Sequence, residues 1–233
     1  MTLTNDTLRA TLGDKAKRVE KIGGQVLIQG DCMKIAPLLG RPEALLCDPP
    51  YGLGKRMQGG TWGAQDHDSG FLRWDLEAKQ EWIDAMIAAE CPAIIWGANY
   101  FNVPASRCWL MWNKVNAVPT MADFEMAWTS LDRPAKRINL NVGRVEYGHP
   151  TQKPTALIEW ALGFLPQGAI VQDWFLGSGT TLVACQNLDR NGIGIELDPD
   201  YFDIACKRVD EATRQPRLFS EPKPKPHQEG MDI

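Results

Sequence analysis

Short apolar runs, each closed by a glycine or an acid, recur along this chain. Val26-Leu27-Ile28 ends at Gly30-Asp31, Ala44 to Cys47 at Asp48, and Ala93 to Trp96 at Gly97. Ala169 to Gln172 ends at Asp173, and Gly192 to Ile195 at Glu196. Runs of this length, so bounded, read as buried strands. Cys108 to Trp112 and Phe124 to Trp128 read as two more. Between them the spacing turns helical. Met33 to Leu39 reads as a short helix, Leu76 to Glu90 as a longer one, and Ala98 to Val103 as another short one. Pro154 to Leu165 is a helix with proline at its start, a position where the missing N–H costs nothing. Gly177-Ser178-Gly179-Thr180-Thr181 is expected to open a helix running to about Leu188, and Pro199 to Ala212 to form another. Strands alternating with helices predict an α/β fold. It should be Rossmann-like, with a mostly parallel twisted sheet, helices on both faces and one antiparallel strand.

The organisation follows from where the pattern fails. Residues 1–24 are polar and charge-mixed and are expected to form a peripheral arm. One domain should occupy 25–213. The stretch from 214 to 233 carries Pro222, Pro224 and Pro226 among lysines and is expected to be a disordered tail. Segments 52–75 and 131–148 lack a clean period. A loop as long as the first, inside a compact domain, points to function.

The formal net charge is −4, which excludes binding driven by phosphate neutralisation over the whole surface but leaves room for a local basic face. Six scattered cysteines contain no Cys-x-x-Cys pair, and the three histidines lie far apart. Reduced thiols are therefore expected rather than disulfides or zinc. His67 between two aspartates reads as a wet loop, and no metal is expected. With no apolar run long enough for a bilayer and no leader-like segment, the expected location is the cytoplasm.

Two stretches carry chemistry. Asp48-Pro49-Pro50-Tyr51 follows a strand. The prolines stiffen the turn, which then presents a carboxylate, carbonyls and an aromatic ring in a fixed array. Such an array suits a planar group bearing an exocyclic amine, because the oxygens accept the amine hydrogens while the ring stacks. Four residues alone are equally consistent with a stiff turn carrying a surface tyrosine. The second stretch is Asp173-Trp174-Phe175-Leu176-Gly177-Ser178-Gly179-Thr180-Thr181. A strand ends, two glycines allow close backbone approach, and a helix begins. One helix and one strand later, Glu196 stands where an acid binds ribose hydroxyls. No lysine follows the glycines, so the loop is not of the Walker type. A nucleoside ligand without phosphates fits it better than NAD or ATP.

Together these motifs resemble the S-adenosylmethionine-dependent DNA amino-methyltransferases. His149-Pro150-Thr151-Gln152-Lys153-Pro154 resembles a third marker of that family, which helps hold the cofactor, and the resemblance spans residues 25–208. The catalytic turn precedes the cofactor loop, a circularly permuted order similar to the beta class. The small size resembles phage or prophage members. The resemblance implies that Asp48, Pro49, Pro50 and Tyr51 are catalytic. It implies cofactor contacts from Asp31, Lys153, Asp173, Phe175, Gly177, Ser178, Gly179, Thr180 and Glu196. The implied reaction is methylation of adenine N6 in double-stranded DNA after base flipping, by a monomer or a homodimer. Methylation of cytosine N4 and a non-catalytic DNA- or cofactor-binding role are the alternatives. Lys55, Arg56, Trp62, Lys136, Arg137 and Arg144 are candidates for DNA contact. The chain departs from the family at Trp174, where proline is usual, and a ring there could reshape either the cofactor pocket or the base-entry face. It also has little room for target recognition, which implies a short or relaxed target site.

Overall fold

The computed structural model describes residues 5–53, 77–117, 122–142 and 152–215. The chain opens with α1 (Asn5–Leu12), β1 (Ala16–Ile22), β2 (Gln25–Gly30), α2 (Cys32–Ile35) and β3 (Ala44–Cys47). Next come α3 (Gln80–Ala88), β4 (Ala93–Trp96), β5 (Trp109–Lys114), β6 (Phe124–Thr129) and β7 (Lys136–Leu140). The last third holds α4 (Thr155–Leu162), β8 (Val171–Asp173), α5 (Thr180–Asn187), β9 (Gly192–Glu196) and α6 (Pro199–Arg214). Among the described residues, nine strands form one sheet in the order β1-β2-β9-β8-β3-β4-β6-β5-β7. No helix among them is long and apolar enough to cross a membrane.

The α/β architecture is the expected one, with a difference in strand direction. Strands β2, β9, β8, β3 and β4 run parallel. Two strands run against the rest, where one was expected. They are β1, paired with β2, and β6, set between β4 and β5. Both strands missing from the sequence reading, β1 and β7, are sheet edges. In β1 only Val19 is buried, and lysine, arginine and glutamate fill the positions around it. In β7, Lys136, Arg137 and Asn139 are exposed. Charged edge strands discourage pairing with other chains, and they also hide the apolar run by which a strand is recognised. The first 24 residues thus contribute α1 and β1, with Leu8 and Leu12 of α1 buried against the sheet.

The pleat sorts the central strands between two layers. Leu45, Cys47, Ala93 and Ile95 face one side, where Ile83 and Met86 of α3 cover them. Ala44, Leu46, Ile94 and Trp96 face the other, against Leu157, Ile158, Ala161 and Leu162 of α4. Phe202, Ala205 and Val209 of α6 close a third cluster over Leu27, Leu176 and Leu182. All six cysteines are free thiols, and five of them are buried.

The order of connections positions the site. From β3 the chain crosses through α3 to β4 on one side, and from β8 it crosses through α5 to β9 on the other. Strands β3 and β8 are parallel neighbours. The crossovers therefore diverge and leave a crevice beyond the carboxyl ends of these two strands, where open α/β sheets bind their ligands.

Candidate active site

Asp48 is the first residue past β3, and Asp173 is the last of β8, so both motifs reach the same crevice. The backbone N–H of Trp174 reaches across to Cys47 Sγ at 3.4 Å and ties the two strand ends together. Past Asp48 the prolines offer no N–H to a ladder, and the chain turns away. Tyr51 folds back, and its hydroxyl donates to Asp48 Oδ1. Its ring stacks on Tyr100 with centroids 5.1 Å apart and planes 23° from parallel. Tyr100 belongs to a single 3-10 turn, Ala98–Tyr100, in place of the longer helix expected there, and its side chain is half exposed.

Lys153, expected beside the cofactor, directs its ammonium to Asp48 Oδ2. It also lies 3.2 Å from the Tyr51 hydroxyl and 3.3 Å from Glu125 Oε2. Burial works against the Lys153 charge, but the Asp48 and Glu125 carboxylates outweigh it and hold the ammonium above the ordinary lysine value. Burial likewise works to raise the Glu125 carboxyl, yet Lys153 and Lys114 overcome it and hold Glu125 below its ordinary value. The Tyr51 phenol is pushed well above its usual value by burial, with Asp48 and Glu125 adding to the effect. The crevice at β3 thus sets a hydrogen-bonded carboxyl acceptor beside a neutral aromatic ring.

At β8 the glycine loop is built from the backbone outward. Gly177 and Gly179 both have positive φ, +53° and +87°. A Cβ on Gly179 would come within 3.0 Å of Ala205, so the glycine lets α6 pack against the start of α5. Asp173 accepts from the Phe175 N–H at 3.0 Å and from the Thr181 hydroxyl. Burial nevertheless raises it to about 7. Glu196, at the tip of β9, accepts from Gly177 N–H at 2.7 Å and from Asp198 N–H at 2.8 Å. Burial raises this carboxyl, too, to about 7. Each Glu196 oxygen keeps a lone pair beyond its backbone bond, which suits a vicinal diol.

Ser178 and Thr180 face inward. Arg208 of α6, itself buried, donates to the Ser178 carbonyl at 2.6 Å, the Ser178 hydroxyl at 2.8 Å and the Thr180 hydroxyl at 3.2 Å. Phe175 lies edge-on to Trp82 of α3, with centroids 5.2 Å apart. Asp31 follows β2, caps α2 through the Met33 N–H at 3.0 Å and pairs with Lys34 at 3.2 Å. Trp174 is buried in the core, with its indole N–H on Gln172 Oε1 at 3.0 Å, so its ring packs on the α3 side of the sheet.

The basic candidates lie apart. Lys136 and Arg137 are on β7, four strands from β3 and so about 19 Å away at the usual strand spacing. Lys55, Arg56, Trp62 and Arg144 lie outside the described residues, as does the run from His149 to Thr151.

The chain is similar to several known proteins. A family model described as DNA methylase matches residues 109–207. The type II methyltransferase M.HpaI of Haemophilus parainfluenzae is 25% identical over 219 residues, covering 72% of this chain and 68% of that protein. Among solved structures, the M1.HpyAVI–SAM complex is similar with a TM-score of 0.54 and 24% identity, covering 79% of this chain and 98% of that one. The cytosine-N4-specific PvuII DNA methyltransferase has a TM-score of 0.56 and 14% identity, covering 86% of this chain and 89% of that one. These likenesses are to DNA methylases and support an amino-methyltransferase.

Several residues of the crevice escaped the sequence reading. Glu125 and Lys114 are charges placed in otherwise apolar strands, and Arg208 is a charge on the apolar face of α6 that carries Phe202, Ala205 and Val209. A charge that breaks an apolar pattern is the signal that could have found all three. Gly97 and Tyr100 gave no such signal, because their importance lies in what Tyr51 does beside them.

Proposed function

We propose that this protein is a DNA methylase that transfers a methyl group from S-adenosylmethionine to the exocyclic N6 of an adenine flipped out of double-stranded DNA. The observation that carries the proposal is the placement of the Asp48 acceptor and the Gly177–Gly179 loop on neighbouring parallel strands, at the point where the crossovers diverge. The glycine loop, Asp173 and Glu196 would hold the cofactor, and the spare Glu196 lone pairs suit its ribose hydroxyls. Bound there, the cofactor supplies an electrophilic sulfonium methyl, so neither metal nor covalent intermediate is required.

Asp48 and the Pro49 carbonyl accept the N–H groups of the target amine. That draws its nitrogen from the planar, ring-conjugated form toward the tetrahedral form that attacks, which favours the transition state over the ground state. Tyr51 stacks on the flipped base. Aspartate as the first residue of the turn favours adenine by family resemblance, and the same array can serve cytosine N4. We further propose Lys136 and Arg137 as phosphate contacts on the far edge of the sheet, and the cytoplasm as the setting.

Incubation with tritiated S-adenosylmethionine and duplex DNA, followed by digestion to nucleosides and mass spectrometry, tests the reading. N6-methyladenine is expected. N4-methylcytosine would move the assignment to the other base, and cofactor binding without label in DNA would leave a non-catalytic relative.

A further inference from the structure

Two charged residues with no place in either motif reach the acceptor turn from the other end of the sheet. Lys114 closes β5, and Glu125 lies in β6, where the backbone pairs it with Trp112. Lys114 Nζ stands 2.6 Å from Glu125 Oε1, and Lys153 Nζ stands 3.3 Å from Glu125 Oε2. Lys153 then contacts Asp48 Oδ2. Four charges of alternating sign thus run from the β5–β6 pair to the turn. The two lysine side chains are only 6% and 7% exposed, a depth at which lysines are rarely found unpaired.

This arrangement poses a problem for the reaction. One Asp48 oxygen accepts the Tyr51 hydroxyl and the other accepts Lys153, so each already carries one donor before a target amine arrives. An amine that takes the Oδ2 position held by Lys153 displaces the ammonium, and a buried ammonium left without a partner is strongly unfavourable. Glu125 offers the alternative partner, because Lys153 already touches both carboxylates. Lys114 holds Oε1 and leaves Oε2 turned toward Lys153.

We propose that Glu125 is a positioning residue that receives the Lys153 ammonium when the target amine takes Asp48 Oδ2. The proposal rests on the reading of Asp48 as the amine acceptor. In Glu125→Gln the neutral amide no longer draws the ammonium. Asp48 is then the remaining carboxylate paired with Lys153 among the described residues. Lys153 stays on Asp48 and competes with the amine.

The test is single-turnover methyl transfer at saturating S-adenosylmethionine, on DNA carrying whichever base the wild-type protein labels. Glu125→Gln is expected to slow transfer by folded protein about tenfold or more with cofactor affinity close to wild type, while the thermal midpoint falls because the buried Lys114 loses its carboxylate. Glu125→Asp should fall between the two. Lys114→Met keeps Glu125 facing Lys153 and should retain more activity than Glu125→Gln. A Glu125→Gln rate within about twofold of wild type would overturn the proposal, as would a loss that merely follows lost cofactor binding or lost folded protein. Should Glu125→Gln fail to fold, Glu125→Asp decides: an intermediate rate with normal cofactor affinity supports the role, and a wild-type rate removes it. Wild-type protein that labels neither base would sink the reading of the site itself, whereas a labelling wild type with an unaffected Glu125→Gln sinks this inference alone.

Discussion

The Tyr51 ring lies so close against Gly97 that a Cβ on Gly97 would fall 1.9 Å from Tyr51 Cε1. The ring has little freedom to retreat, because its hydroxyl is bonded to Asp48 and its face is stacked on Tyr100. Gly97 is held as well, by its N–H on the Met126 carbonyl at 2.9 Å and by a φ of +65°. Gly97→Ala should therefore push Tyr51 out of line with Asp48. We expect methyl transfer to fall about tenfold or more and stability to drop by about 1 kcal/mol or more, the usual cost of a side chain at positive φ. Cofactor affinity should hold, because the glycine loop is on another strand. Paired activity and thermal-denaturation assays check this, and a fully active Gly97→Ala would show that the Tyr51 position is not critical.

Asp48→Ala removes the acceptor while leaving Lys153 paired with Glu125. Transfer should fall by about 10³-fold or more, the scale of losing an oriented electrostatic partner of the reacting group. Isothermal titration should find S-adenosylmethionine binding nearly unchanged. Near-normal transfer by this variant would take Asp48 out of its proposed role.

Arg208 acts on the other half of the crevice. Its guanidinium holds one carbonyl and two hydroxyls of the glycine loop from a buried position. Arg208→Met should loosen that loop and leave the Ser178 carbonyl short of a donor. Expected are a stability loss of about 2 kcal/mol and a cofactor Kd raised about fivefold or more. If the variant bound cofactor as tightly as wild type, the clamp would be a matter of folding alone.

Glu196 sets a pH dependence. Burial raises its carboxyl from the ordinary 4.5 to about 7. Below 4.5 the folded and unfolded chains are both protonated there. Between 4.5 and about 7 the folded chain holds the extra proton, so this group's contribution to stability declines as pH rises and is lost above about 7. Ionised Glu196 is the better acceptor for ribose hydroxyls, so cofactor affinity should rise over the same interval. Glu196→Gln cannot titrate. The stability difference between wild type and Glu196→Gln, followed by denaturant melts across this window, should shift toward the variant as pH rises. A difference that stays flat with pH would contradict the assignment.

The central strands and most helices were legible because each is a local pattern. Ala44 to Cys47, Ala93 to Trp96 and Gly192 to Glu196 are buried runs closed by a glycine or an acid, and all three are strands of the sheet. The edge strands β1 and β7 were not legible. Their exposed positions carry lysine, arginine and asparagine, so the apolar signal is missing where the sheet meets water. The second antiparallel strand was equally hidden, because strand direction is set by which neighbour a run pairs with and leaves no mark on the run itself.

By itself the sequence determined the acceptor turn, the glycine loop and the acid one strand beyond it, since each depends on residues close in the chain. Only the tertiary structure decided what surrounds them. Lys153 meets Asp48 across 105 residues, Arg208 meets the glycine loop across 30, and Glu125 and Lys114 arrive from the β5–β6 pair. Trp174 packs into the core, because the pleat turns it to the same face as Gln172. The reason is physical. Periodicity and turn chemistry are local, whereas the neighbours of a buried charge are set by how the sheet is ordered and packed.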